Sequence, residues 1–208
     1  MNPESTMGRP FKPLTVIVSL VGLLLLASCG SSTPSRFYVL TPLAAGKPTH
    51  TADGPGIGVG PVVVPQYLDR PQVVTRTSDN RLDVGETDQW GGRLSDNITR
   101  VLAENLSGLL QTDRVAIYPW TDATAVGVQV TLDIVEFERN ASGTVTLSAF
   151  WNITDVANAK IVATRRSTIT KDVAAKGTES YDATVAAMSA ALADLSQEIA
   201  AQIKALPR

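Results

Sequence analysis

Few residues of this sequence have the types and spacing that catalysis or metal binding requires. The only histidine of the chain, His50, lies in a loop rich in Gly and Pro, which argues against a histidine-based catalytic triad. A single histidine also excludes a site with several histidine ligands, and the motifs HExxH and GxSxG are absent. Asp133, Glu136 and Glu138 are the best candidates for a carboxylate pair or a weak cation site. The same three residues fit a solvated strand edge, which is the interpretation that we prefer. The sequence therefore predicts no enzyme, no cofactor and no metal centre.

The only cysteine, Cys29, lies where a lipid anchor would be attached. An uncharged run, residues 14–26, follows two basic residues and is too short to cross a bilayer core of roughly 30 Å, which takes about 20 apolar residues. Ala27 and Ser28 then precede the cysteine. This pattern resembles a bacterial lipobox, in which the cysteine sulfur is lipidated and the cysteine becomes the new N-terminus. The alternative is an ordinary secretory signal with an incidental cysteine, but an unpaired thiol in an exported protein then needs another explanation.

These features divide the chain into three predicted parts: a lipoprotein signal peptide over residues 1–28, a lipidated N-terminus and tether over 29–36, and one domain over 37–208. The residues after the cysteine reach only about 23 Å when fully extended, so the domain is expected to stay near its membrane. Gly30 favours the outer membrane, because lipoproteins kept in the inner membrane of many Gram-negative bacteria carry Asp there. The formal net charge of −2, without a basic stripe, argues against a nucleic-acid partner.

Two apolar repeats at steps of three and four residues predict helices. The first begins after Gly91-Gly92 and contains Leu94, Ile98, Val101, Leu102, Leu106, Leu109 and Leu110. The second runs from Thr178 to about Leu206 and contains Tyr181, Val185, Met188, Leu192, Leu195, Ile199 and Ile203. Alternating patterns predict strands elsewhere, including a meander over residues 126–170. The expected fold is α+β, a single domain in which a mixed or antiparallel sheet carries two main helices on one face.

Local irregularities refine this picture. The apolar phase of residues 126–137 jumps by one position, which predicts a β-bulge near Ile134 and Val135. The three valines at 62–64 are expected to be buried on both faces. Trp90, just before the first helix, fits either a half-exposed interface residue or a packing contact at the helix entrance.

The segment from Pro65 to Pro71 is predicted to be a turn that presents an apolar contact to a partner. Tyr67 and Leu68 are its candidates for that contact, and Arg70 either joins them or pairs with Asp69.

Residues 65–76, with the sequence PQYLDRPQVVTR, resemble the hallmark segment of the ABC-type transport auxiliary lipoproteins, the PqiC/YmbA family. Further segments are similar to that family in order and spacing: residues 37–40, Trp90 with residues 100–106, residues 180–183, and Leu195-Ser196. Gly91-Gly92 is a departure, since the family usually has more helix-friendly residues there.

The resemblance implies a lipoprotein of the outer membrane that faces the periplasm and works with an MCE-domain protein and inner-membrane transporter components. Such systems are thought to move phospholipids or other hydrophobic molecules between the two membranes. No catalytic position transfers. The leading hypothesis is a docking subunit whose partner-binding residues are Tyr67, Leu68 and Arg70. The alternative is a lipid-binding carrier with a cavity between the sheet and the last helix, and a homo-oligomer is plausible by analogy.

Overall fold

The structure is a computed structural model that describes residues 34–43, 56–121, 125–173 and 180–206. Cys29, His50 and the predicted signal peptide lie outside the described residues, as does most of the predicted tether. The described elements are β1 (Arg36–Tyr38), β2 (Ile57–Val63), β3 (Gln72–Ser78), β4 (Arg81–Trp90), α1 (Leu94–Leu110), β5 (Val115–Ile117), β6 (Val128–Arg139), β7 (Thr144–Asp155), β8 (Lys160–Asp172) and α2 (Tyr181–Lys204). This confirms the predicted α+β class with two main helices.

The strands form one mixed, curled sheet that branches at β6. The order along one path is β1-β4-β3-β6-β2-β5, while β7 pairs with β6 and β8 pairs with β7. Because β7 follows one edge of β6 along its whole length, β2 and β3 must share the other edge. On that edge β2 pairs with the first half of β6, up to Asp133, and β3 pairs only at Arg139. Between these two points, no strand of the described residues pairs with β6 on this edge.

The predicted bulge is confirmed inside this unpaired stretch. The β6–β7 register shifts between Ile134 and Glu136, so Val135 is the extra residue. Beyond the bulge the inward-facing position passes to Phe137, which is fully buried. The predicted meander is present as the antiparallel strands β6, β7 and β8, and β3 and β4 form a further antiparallel hairpin.

Both apolar helix stripes are buried in one continuous core with the inner face of the sheet. Helix α2 begins three residues later than predicted, at a site where the Ser180 Oγ accepts a hydrogen bond from the Ala183 N–H. This is an ordinary N-cap arrangement. Among the described residues no helix is both long and apolar enough to cross a membrane.

The structure decides two predictions about burial, one for the valines at 62–64 and one for Trp90. The prediction that the valines at 62–64 are buried on both faces is wrong, because Val63 is more than half exposed and its two neighbours are only partly covered. An irregularity between Val59 and Val62 separates the buried first half of β2 from this exposed second half. Trp90 is buried at the entrance of α1, which favours the packing interpretation.

Candidate docking site

The turn over residues 65–71 (the 65–71 turn) spans the unpaired stretch of β6. It leaves the end of β2, crosses the opening and enters β3. The Pro65 carbonyl accepts hydrogen bonds from the N–H groups of Leu68 and Asp69, at 2.9 and 3.1 Å. At its far end the Pro71 carbonyl accepts from the Trp90 N–H at 2.7 Å. The turn is therefore fixed by backbone hydrogen bonds both within itself and to β4.

A buried carboxylate holds the turn against β6. Glu138 is fully buried, and its oxygens accept hydrogen bonds from the Tyr67 hydroxyl at 3.0 and 3.2 Å. Arg76 donates from Nε and Nη2 to Glu138 Oε1, at 2.9 and 2.7 Å. The Phe137 N–H donates to the other oxygen at 2.9 Å. We call Tyr67, Arg76 and Glu138 the Glu138 cluster.

The charges of the Glu138 cluster explain why these three side chains occur together. A carboxylate removed from water needs a cation and several donors, and Arg76 and Tyr67 supply both. Burial, followed by the negative charge of Glu138, raises the pKa of Tyr67 well above its usual range, so the hydroxyl stays a donor at all physiological pH values. Burial and the same charge raise the pKa of Glu136.

These contacts correct two sequence-based expectations. The solvated-edge interpretation is wrong for Glu138, although Asp133 on the same strand is exposed as expected. The reason is that Tyr67 of the 65–71 turn and Arg76 of β3 enclose this carboxylate, which the strand pattern alone does not reveal. Leu68 is also not an exposed contact, because only 2% of its surface is accessible and it belongs to the core. Tyr67 is half-buried, with its hydroxyl directed to Glu138.

The outer surface of the turn is polar. Arg70 is exposed, and within the described part of the chain its side chain has no hydrogen bond or ion pair. Asp69 does not pair with it but lies 3.5 Å from Arg93, at the start of α1. The three candidate residues therefore differ in their surroundings: Tyr67 and Leu68 hold the turn in place, and Arg70 is exposed on its outer surface.

A second buried carboxylate, which the sequence reasoning missed, lies beside β1. Asp88 accepts from Arg36 Nε at 2.8 Å and from the Tyr38 hydroxyl at 2.9 Å. Burial, followed by the hydrogen bond to Asp88, raises the pKa of Tyr38 to about 12. The alternation of side chains along β4 could have revealed this burial. Asp88 lies two positions before Trp90 and therefore shares its inward face. We call Arg36, Tyr38 and Asp88 the Asp88 cluster.

The chain following β1 is bound to both helices. The Leu40 carbonyl accepts from Arg100 at 2.7 Å, and the Leu43 N–H donates to Asn105 at 2.7 Å. Asn105 in turn donates to Ser196 of α2 at 3.0 Å. All of these residues except Leu43 belong to the segments on which the family resemblance rests, and the contacts show that they fix the N-terminal strand and the two helices together.

The two buried carboxylates of this region are engaged in internal contacts. The oxygens of Glu138 and Asp88 are already occupied by internal donors, so neither carboxylate is placed as a free base. Within the described ranges no group of His, Cys, Asp and Glu side chains could hold a metal ion. The accessible feature of the 65–71 turn is a fixed polar surface that includes the exposed guanidinium of Arg70.

Comparisons with known proteins agree with this architecture. The model of the family described as ABC-type transport auxiliary lipoprotein component matches residues 38–200. A crystal structure of an uncharacterized protein has a TM-score of 0.67 and 22% identity, covering 82% of this chain and 99% of that one. A Xanthomonas campestris protein has the same TM-score at 16% identity, covering 81% and 94%.

At these identities the two crystal structures show the shared fold. No curated protein matches the sequence. The family match extends from β1 into α2 and includes the 65–71 turn and all of the Glu138 cluster. The chain belongs to the family of ABC-type transport auxiliary lipoproteins.

Proposed function

We propose that this protein is a non-enzymatic docking subunit of an ABC-type intermembrane lipid transport system, anchored to the outer membrane through lipidated Cys29 and facing the periplasm. Its partner in this proposal is an MCE-domain protein that forms the transport conduit and is joined to inner-membrane transporter components. The cargo would be a phospholipid or another hydrophobic molecule. The protein itself holds the end of the conduit close to the membrane.

One observation carries the proposal: the 65–71 turn is fixed by internal contacts, yet Arg70 is exposed and has no partner among the described residues. Holding a polar turn over a buried carboxylate consumes an arginine, a tyrosine and a glutamate. A loop that served only as a connection between strands would not need this support. A fixed exposed guanidinium suits recognition of an acidic group on a partner, because little conformational entropy is lost on binding.

Chemical crosslinking in intact cells tests the proposal. The full-length lipoprotein would carry a C-terminal tag, and crosslinked partners would be identified by mass spectrometry. We expect an MCE-domain protein with crosslinks near the 65–71 turn. Arg70→Glu should lower the yield of this crosslinked species by about fivefold, because it replaces an exposed attraction by a repulsion.

Arg81→Glu is the matched control. Arg81 is likewise an exposed arginine, but it lies at the tip of the β3–β4 hairpin and donates to Thr77 at 2.9 Å. Its reversal should leave the crosslinking yield unchanged. Equal losses for the two variants would point to a nonspecific effect of charge and would remove the turn as the docking site.

The carrier alternative predicts a different result, in which phospholipid co-purifies and no MCE-domain protein is recovered. It requires a cavity between α2 and the sheet. The apolar side chains of α2 instead lie in the same continuous core as those of β6, β7 and β8, and Leu192, Leu195 and Ile199 are fully buried there. The docking function is therefore the one that we favour.

A further inference from the structure

Strand β1 exposes two large apolar side chains at an edge of the sheet. Phe37 is 66% exposed and Val39, directly after the strand, is 51% exposed. Between them Tyr38 points inward and is buried. Neither exposed residue contributes to the core, and neither belongs to the proposed docking turn. We call Phe37 and Val39 the β1 patch.

The β1 patch is held rigidly. Phe37 lies opposite Gln89 in the parallel β1–β4 pairing, and the Gly91 N–H donates to the Tyr38 carbonyl at 2.7 Å. A side chain at position 91 would meet Val39, since a Cβ added there would lie 3.1 Å from Val39 Cγ1. Gly91 therefore lets Val39 lie close against the backbone.

Arg36, the charged side chain beside the patch, retains donors that have no partner in the described part of the chain. Arg36 uses Nε and Nη2 for the buried Asp88, yet 61% of its side chain is exposed. A guanidinium has five N–H donors, so this arginine can bind a phosphate without giving up its internal carboxylate. Apolar side chains next to an arginine match the boundary between acyl chains and phospholipid headgroups.

The length of chain before β1 identifies which surface lies within reach. Phe37 is eight residues after Cys29, a separation of at most about 29 Å for an extended chain. If Cys29 carries the lipid anchor, the β1 patch can never move farther than this from the headgroups. Tethering makes a second contact with the same membrane intramolecular, so a weak apolar contact is sufficient to orient the domain.

We propose that the β1 patch is a membrane-contact surface, in which Phe37 and Val39 enter the interface of the membrane that holds the anchor and Arg36 binds lipid phosphate. This inference rests on the proposed lipidation of Cys29. It adds an orientation to the docking function. The Trp90 N–H joins Pro71 to the end of β4, which pairs with β1. A membrane contact at β1 would therefore also hold the 65–71 turn near the bilayer.

A fluorescent label on Val39 tests the contact. Cys29 is the only cysteine, and lipidation consumes its sulfur, so Val39→Cys provides the only free thiol of the lipidated protein. The full-length lipoprotein would be labelled with an NBD fluorophore and reconstituted into vesicles of phosphatidylethanolamine and phosphatidylglycerol. We expect the NBD emission to shift to shorter wavelengths and to lose intensity when nitroxide-labelled lipids are included.

Phe150→Cys is the matched control, because Phe150 is an apolar residue of similar exposure (44%) on β7, in the other branch of the sheet. Its label should remain in water. Adding Phe37→Asp to the Val39→Cys protein should abolish the emission shift without lowering the melting temperature, since Phe37 is not part of the core.

Three results would overturn the inference: a label at position 39 that stays in water, equal quenching at positions 39 and 150, or protection of position 39 only when the transport partner is added. The last would make the β1 patch a protein interface. The intact mass of the purified protein reports lipidation separately, and an unlipidated Cys29 would remove the basis of the inference. Partner crosslinking at the 65–71 turn is an independent measurement, so failure of the docking function is distinguishable from failure of the membrane contact.

Discussion

The Glu138 and Asp88 clusters are built from the same three chemical groups but differ in their access to water. In each, a buried carboxylate accepts hydrogen bonds from one arginine and one tyrosine. In the Glu138 cluster the arginine is mostly covered, with 25% of its side chain exposed. In the Asp88 cluster the arginine is mostly exposed.

The difference in solvent access gives the two clusters different roles. Water has little access to the covered Arg76–Glu138 pair, so this pair fixes the 65–71 turn to β6 as part of the fold. The Arg36–Asp88 pair holds the edge strand β1 to β4, and its arginine remains exposed to water. A buried ion pair is costly to break from one side, because the remaining partner stays without compensation, whereas an exposed partner is rehydrated.

The largest expected effect is therefore the loss of Glu138. Glu138→Ala should lower the free energy of unfolding by about 4 kcal/mol, because Arg76 and the Tyr67 hydroxyl lose their acceptor. Asp88→Ala should cost less, about 2 kcal/mol, because Arg36 is free to bind water. Urea denaturation measures both values, and Asp133→Ala, an exposed carboxylate of β6, should stay within about 0.5 kcal/mol of the parent. Equal losses at Glu138 and Asp88 would show that solvent access does not distinguish the clusters.

Removing each tyrosine hydroxyl separates positioning from stability. Tyr67→Phe and Tyr38→Phe should each lower the free energy of unfolding by about 1 kcal/mol, since each loses one hydrogen bond to a carboxylate. If the 65–71 turn is the docking site as proposed, only Tyr67→Phe should also reduce crosslinking of the partner, because it is the Tyr67 hydroxyl that holds this turn against β6. A fall in crosslinking of the same size for Tyr38→Phe would contradict this division of roles.

Alkaline pH should affect the Asp88 cluster through Tyr38. Its pKa is raised to about 12 in the fold by burial and by the hydrogen bond to Asp88, against about 10 in an unfolded chain. The folded state therefore favours the protonated hydroxyl, and this contribution to stability is present below pH 10 and is lost as the pH rises through 12. Melting temperatures recorded across this range should fall less steeply for Tyr38→Phe. Parallel curves for the variant and the parent would show that another group controls the alkaline transition.

Much of the fold could be predicted because its signals are local. The heptad-like spacing of Leu94 to Leu110 fixes α1, and the one-residue jump of the apolar phase fixes the bulge at Val135. Periodicity reports which face of an element is buried against its own core. It contains no information about a neighbouring segment that covers the opposite face.

The candidate site could be predicted only in part for that reason. The 65–71 turn was found from its prolines, but Leu68 was expected to be exposed because an isolated apolar pair in a turn does not reveal which way each side chain points. Glu138 was expected to be solvated because its strand face is polar. Its burial depends on Tyr67, which lies 71 residues earlier in the sequence. A pairing at that separation is a property of the topology.

The smallest expected effect concerns Glu136. This residue adjoins the Glu138 cluster but does not share the hydrogen bonds and the ion pair that stabilise the Glu138 carboxylate. Burial and the charge of Glu138 raise the pKa of Glu136, so its ionised form is less favourable in the folded state than in the unfolded chain. Its ionisation therefore lowers stability as the pH rises above about 4.5, and protonation at lower pH removes this penalty.

Glu136→Gln should consequently raise the melting temperature slightly at pH 7, and the difference from the parent should vanish below pH 4. Thermal melts at the two pH values measure this directly. In a protein that also carries Glu138→Gln the gain in melting temperature should shrink, because Glu138 supplies part of the repulsion that makes the ionised form of Glu136 unfavourable. A gain that persisted at low pH would have to arise from packing. If the gain were equal at the two pH values, the repulsion between the two carboxylates would contribute nothing measurable to stability.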